Sequence, residues 1–178
     1  MGRPRLTGRL VRRREHHVLV SAPPGFGKST LLAQWAALDA RPFAFVALES
    51  SDNDPTELWS NIVCSLRQIH PSIGASVEAS LRSFGAVAVQ SIVRRVAADL
   101  EQLTEPIVLA LEDVHVIKNP TCLASLESLV AHPASLLMIA LSTRADPPSH
   151  SVAYVPPGNS SRSGQPTSPS RRTKQRRS

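Results

Sequence analysis

At 178 residues the chain is sized for one domain with a core of its own. An apolar content of 42% with only 4% aromatic residues points to an aliphatic α/β core rather than a β sandwich. The formal net charge of +6 sits at the ends: residues 1–17 hold six Arg and one Glu, residues 149–178 five Arg, one Lys and no acid, and residues 18–148 eight basic against thirteen acidic residues. The folded part is therefore mildly acidic, and the high pI is no argument for a nucleic-acid-binding face on it.

No apolar run approaches the roughly 18 residues a membrane helix needs, and no signal-type apolar segment follows the basic start. These features read as a soluble, cytoplasmic chain. Cys64 and Cys122 lie far apart in no metal-like spacing, and read as small buried hydrophobes in a reducing compartment.

In chain order, residues 1–16 read as a solvated basic arm. His17–Ala22 is an apolar, β-branched run that reads as a strand. It leads into Pro23-Pro24-Gly25-Phe26-Gly27-Lys28-Ser29-Thr30, and then into an amphipathic stretch with Leu31, Leu32, Trp35 and Leu38 at helical spacing. Strand, glycine-rich turn, Gly-Lys-Ser and helix is the order of a phosphate-cradling loop. Small residues let backbone N–H groups turn toward phosphate oxygens, and the helix adds the positive end of its dipole. Lys28 then reaches the β- and γ-phosphates, and the Ser29 hydroxyl serves Mg²⁺. Ala22 stands where the first glycine of the pattern belongs; alanine is tolerated there if φ is negative.

Phe43–Leu48 reads as a second buried strand. Ser51-Asp52-Asn53-Asp54-Pro55-Thr56-Glu57 resembles a cluster of metal-binding carboxylates, but capping explains it better. Asp54 is a good N-cap, Pro55 suits the first helical position, and Glu57 would complete a capping box. The helix it starts runs to about Ile69, with Leu58, Ile62, Leu66 and Ile69 on its buried face. Pro71–Phe84 is ambiguous and reads as a short helix between loops. Val87–Leu103 is a helix with a stripe of Val89, Ile92, Val93, Val96 and Leu100.

Ile107–Leu111 is an apolar strand ending in Glu112 and Asp113. Carboxylates at the C-terminal tip of a buried parallel strand hold Mg²⁺ beside a phosphate-binding loop. Glu112 is the candidate metal ligand, and Asp113 the candidate to orient or deprotonate an attacking water. His115 reads as structural. Asn119–Ala131 is a further helix with Leu123, Leu126 and Leu129/Val130 inward, and Ser135–Leu141 a fourth buried strand. Arg144 follows the Ser142-Thr143 tip of that strand and is the candidate for sensing a γ-phosphate. From residue 149 a Pro/Ser/Arg-rich tail without apolar periodicity reads as disordered. The domain reading is thus an arm at 1–16, a nucleotide-binding core at 17–148 and a tail at 149–178.

Arg3-Pro-Arg-Leu6, Val20–Trp35, Asp52-Asn-Asp-Pro55, Leu111-Glu-Asp-Val-His115 and Ser142-Thr-Arg-Ala-Asp-Pro-Pro148 occur in order. With them the chain resembles the N-terminal ATPase domain of the large ATP-dependent LuxR-type transcriptional regulators, of the STAND class. The resemblance implies a three-layer P-loop NTPase with a mostly parallel sheet. The sensor strand would lie beside the P-loop strand and the Walker B strand beyond it. It implies an ATP/ADP switch with slow hydrolysis at most, self-association, and no membrane partner. In it Pro24, Gly25, Phe26, Gly27, Lys28, Ser29 and Thr30 bind phosphates, Ser29 and Glu112 serve Mg²⁺, Lys28 and Asp113 act in hydrolysis, Arg144 senses the nucleotide, and residues 3–6 approach the adenine. Glu112 departs from the more usual aspartate. The family's inducer-binding repeats and helix-turn-helix do not appear, so a truncated chain without specific DNA binding is expected. A P-loop kinase or active ATPase, and an inert remnant, are the rival readings.

Overall fold

A computed structural model of the chain describes residues 17–21, 25, 27–75, 77 and 86–144. Residues 1–16, Ala22, Pro23, Pro24, Phe26, Ser76, 78–85 and everything from 145 onward lie outside it. The expected basic arm, the 3–6 segment, the tail and most of the ambiguous 71–84 stretch therefore lie outside the described residues.

Four strands, β1 (His17–Ser21), β2 (Phe43–Ala47), β3 (Ile107–Glu112) and β4 (Leu137–Thr143), form one parallel sheet in the order β1-β4-β3-β2. Among the described residues four helices connect them: α1 (Lys28–Leu38), α2 (Pro55–Ile69), α3 (Ala86–Leu100) and α4 (Pro120–Ala131). The strand after α4 lies between the first and third strands, as the resemblance implies.

Side chains alternate across the sheet and both faces of β3 and β4 are covered, which is why these strands are apolar up to their polar C-terminal ends. On one face Val18, Val20, Val108, Ala110, Met138 and Ala140 pack against Leu31, Leu32 and Trp35 of α1. On the other, Ala44, Val46, Leu109, Leu111 and Ile139 meet the apolar stripes of α2, α3 and α4. Trp35 is fully buried, sits edge-on to Phe43 with ring centroids 5.1 Å apart, and donates its indole N–H to Asp39 at 2.7 Å. Burial of Asp39 disfavours its charge, but hydrogen bonds from Arg41 and Trp35 outweigh this and hold the carboxyl below the usual range.

Several expectations need correction. β2 is not buried on both faces: among the described residues it is a sheet edge, α1 reaches only as far as Phe43, and Phe45 is 41% exposed. Cys64 is exposed because it lies off the buried stripe of α2, whereas Cys122 is buried and its thiol pKa is pushed up by that burial. α3 stops at Leu100, where Gln102 and Leu103 N–H groups turn to the carbonyls three residues back. β4 starts two residues later than expected and includes Ser142 and Thr143.

The acidic stretch before α2 is a set of caps. Asp54 accepts from the N–H groups of Thr56 and Glu57, and Pro55 occupies the first turn. The Thr56 N–H is the main reason the Asp54 carboxyl lies below its ordinary range. The expected reciprocal box with Glu57 does not form, because the Asp54 N–H donates to the Ser51 carbonyl instead. A box does form one turn earlier, where buried Asp52 accepts from the Glu49 N–H at 2.7 Å and from Asn61 Nδ2 at 2.8 Å.

Candidate functional site

A parallel sheet brings all its strand ends to one edge, and here the C-terminal ends of β1, β3 and β4 carry the polar residues. Ser21 pairs in register with Thr143, and Ser21, Ser142 and Thr143 are all buried. The first turn beyond β1 contains Gly25 at φ +77° and Gly27 at φ +71°, conformations that L side chains rarely adopt. Gly27 is also the N-cap of α1, and its carbonyl accepts the Leu31 N–H at 2.9 Å. It brings no side chain to the cap, and no acidic residue stands in the first turn. The positive end of the helix dipole is therefore not offset by a carboxylate of that turn. Lys28, at the first helical position, is buried, while Ser29 and Thr30 are exposed. Pro24 and Phe26, expected to border the phosphates, lie outside the described residues.

Glu112 ends β3 half-buried, and its carbonyl accepts the Leu48 N–H at 3.0 Å. Asp113 follows with φ 55° and ψ 40°, making it the one non-glycine residue at positive φ among the described residues. Aspartate tolerates this region better than most side chains. The turn aims its carboxylate at the tip of β4, where Arg144 Nε donates to Asp113 Oδ1 at 3.4 Å. His115 Nδ1 lies 3.6 Å from the same oxygen. Arg144 is half exposed and the contact long, so the pair contributes little to stability, at most about 1 kcal/mol. The structure thus brings Asp113, Arg144 and His115 together. An exposed hydroxyl at Ser29 and a half-buried carboxylate at Glu112 are hard oxygen donors of the kind Mg²⁺ takes.

Asn53 is the residue whose part here a reading of the sequence alone misses. It lies in the 3₁₀ turn Ser50–Asn53 and bonds across to the segment that follows Asp113. Its Nδ2 donates to the carbonyls of Ser50 at 3.1 Å and Val116 at 3.0 Å. Its Oδ1 accepts the N–H groups of Lys118 at 2.6 Å and Asn119 at 2.9 Å. Asn119, the N-cap of α4, returns a bond from its own Nδ2 to the Asn53 carbonyl. The one hint in the sequence is that Asp54-Pro55 and Asn119-Pro120 start helices in the same way.

A separate cleft of about 390 Å³ runs between β2 and α2, lined by Phe45, Glu49, Asn61, Cys64 and Gln68 among others. None of the strand-tip residues named above lines it.

A parallel sheet in this order, with helices on both faces, is the P-loop NTPase fold. The chain superimposes on the crystal structure of Cdc6p from Pyrobaculum aerophilum with a TM-score of 0.52 and 16% identity, covering 79% of this chain and 36% of that one. The Orc1 protein of Aeropyrum pernix, solved in complex with DNA, gives 0.54 and 16%, covering 80% and 39%. In sequence the chain is homologous to the N-terminal region of MalT, an HTH-type transcriptional regulator. It is 26% identical to the Klebsiella pneumoniae protein over 126 residues, 70% of this chain and 14% of the relative. For Cronobacter sakazakii the figures are 27% over 125 residues, again 70% and 14%. For Serratia proteamaculans they are 26% over 147 residues, 82% and 16%. The chain therefore spans about one seventh of the length of the curated relatives it matches. No protein-family model matches it.

Proposed function

We propose that this chain is an ATP/ADP-binding regulatory domain of the LuxR-type transcriptional regulators, working as a switch with slow hydrolysis rather than as a metabolic enzyme. The observation that carries the reading is the convergence at one sheet edge. A left-handed glycine turn with Lys28 follows β1, and the Asp113–Arg144 pair joins the tips of the two strands beyond it. Homology to MalT supports the regulatory half of the proposal.

In this reading, Gly25, Gly27 and the first turn of α1 offer backbone N–H groups to the phosphates. Lys28 supplies the positive charge on the β- and γ-phosphates, and Thr30 adds a hydroxyl. Ser29 and Glu112 hold Mg²⁺, which when bound neutralises phosphate charge. Asp113 accepts the proton of the attacking water, and Arg144 exchanges its contact with Asp113 for the γ-phosphate. Because that contact is long and half exposed, little is lost when Arg144 leaves it. Self-association in the ATP state is the expected output.

Titration calorimetry with Mg-ATP and Mg-ADP tests the site. Both nucleotides are expected to bind, and Lys28→Ala to weaken binding by about 1.5–3 kcal/mol, the scale of one hydrogen bond to a charged group. Equal affinity in the two proteins would overturn the assignment. Turnover is expected well below the roughly 1–10³ s⁻¹ usual for enzymes. A phosphate-release rate of many per second would favour a working ATPase instead.

A further inference from the structure

We infer that Asn53 is a positioning residue for Asp113, holding the hydrolytic carboxylate in place from 60 residues away in the chain. The inference rests on the nucleotide reading above and assigns a control point within that site.

Asp113 adopts a left-handed conformation, which costs a non-glycine residue roughly 1–2 kcal/mol and persists only where the surroundings enforce it. Its own side chain does little to enforce it, since the Arg144 contact is long and half exposed. The backbone that follows is held firmly. The Val116 N–H donates to the Asp113 carbonyl at 3.0 Å and the Ile117 N–H to that of Val114 at 3.1 Å, closing a single 3₁₀ turn. Such a turn is short and has poor hydrogen-bond geometry, so it needs an outside anchor. Val114 and Val116 pack against the core, and Asn53 is the polar anchor. Its Nδ2 takes the Val116 carbonyl, and its Oδ1 takes the Lys118 and Asn119 N–H groups.

The two halves of the Asn53 amide do different work. The oxygen ties down the start of α4, while the nitrogen alone reaches the turn that carries Asp113. When the nitrogen bond is lost, the 114–116 turn is released and Asp113 can relax to negative φ, which swings its carboxylate off the Arg144 side. The phosphate loop, held by β1 and α1, is untouched.

Asn53→Asp separates the halves, because it keeps an acceptor for Lys118 and Asn119 but has no donor for Val116 or for the nearby Ser50 carbonyl. Asn53→Ala removes both. With the full chain, Kd for Mg-ATP and Mg-ADP is read by calorimetry, single-turnover hydrolysis with radiolabelled ATP, and Tm by circular dichroism. The expected result for Asn53→Asp is a fall in hydrolysis of about ten- to a hundredfold, the scale set by a small misplacement of a reacting group. Kd should change by less than about threefold, which is under 1 kcal/mol, with Tm close to that of the unmodified chain. Asn53→Ala should show the same loss of rate with a lower Tm.

Unchanged hydrolysis in both variants overturns the inference. So does a parallel fall of rate, affinity and Tm, or loss of the folded state in both, since Asn53 is then structural only. Should the unmodified chain bind no nucleotide, or bind it and never turn it over, the proposed function fails and carries this inference down with it. That failure is distinguishable because no variant is involved.

Discussion

The loops that follow β1 and β3 reach the same sheet edge and both pass through left-handed backbone, but they achieve it differently. After β1 the left-handed positions are Gly25 and Gly27, and a Cβ built on Gly25 meets nothing within 4 Å. The residue type itself permits the turn. After β3 the left-handed position is Asp113, which carries a Cβ and a charge, and the turn is kept by bonds from Asn53. One loop is shaped by what it lacks, the other by a distant residue. Local chemistry therefore governs the first loop and tertiary structure the second.

Among substitutions in these two loops, Gly27→Ala is expected to do the most damage. Alanine there must adopt φ near +71° at a cost of roughly 1–2 kcal/mol. Its nearest contacts, Thr30 Cβ and Oγ1 at 3.8 Å, are ordinary, so the strain is backbone strain alone. Gly27→Ala should lower Tm and weaken Mg-ADP binding together. A variant with both unchanged would show that glycine is not what shapes this loop.

At Asp113 two substitutions separate backbone strain from loss of the carboxylate. Asp113→Gly relieves the left-handed strain and should leave stability unchanged or raise it by up to about 1 kcal/mol. Asp113→Ala keeps the strain without an aspartate's tolerance of it, and should be the less stable of the two by about 1 kcal/mol. Denaturant unfolding resolves that difference, and both variants should lose hydrolysis. Equal stability would mean that the Asn53 bonds do not hold Asp113 in its strained form.

The smallest effect is expected at Asp54, beside Asn53. Asp54→Ala removes the α2 cap, at about 0.5–1 kcal/mol. Because the folded-state pKa of Asp54 lies below its ordinary value, its charged form contributes stability at neutral pH. That contribution is lost as pH falls through the lowered value. The Tm gap between Asp54→Ala and the unmodified chain should therefore be full above about pH 5 and close as the pH drops below about 4. A gap that persisted in acid would assign the effect to something other than the charged cap.

How much was legible in the sequence follows from the same contrast. The strand, glycine turn and helix from His17 to Leu38 are local patterns, and the Ile107–Asp113 run announces its strand by continuous apolarity. Strand order was accessible only through family resemblance, since no residue of β1 says that β4 will pair with it. Phe45 is exposed because burial at a sheet edge depends on which helix covers it, and Cys64 because it lies off the buried stripe of α2. The Glu57 box was misjudged because Ser51 competes for the same N–H. Asn53 was hidden for a different reason: its partners lie 63 to 66 residues away, and asparagine in a turn looks the same with or without them.

The outer border of β2 has one more consequence. Successive residues of a parallel strand direct their backbone groups alternately toward and away from the neighbouring strand. The Pro42 carbonyl and the Leu48 N–H both bond to β3, so those of Phe45 face outward. Ser65 Oγ of α2 donates to the Phe45 carbonyl at 2.8 Å. A foreign strand laid along this border would find an acceptor it needs already taken by the helix behind. The Ser65 hydroxyl thus engages one of the outward-facing acceptors through which a foreign strand would pair.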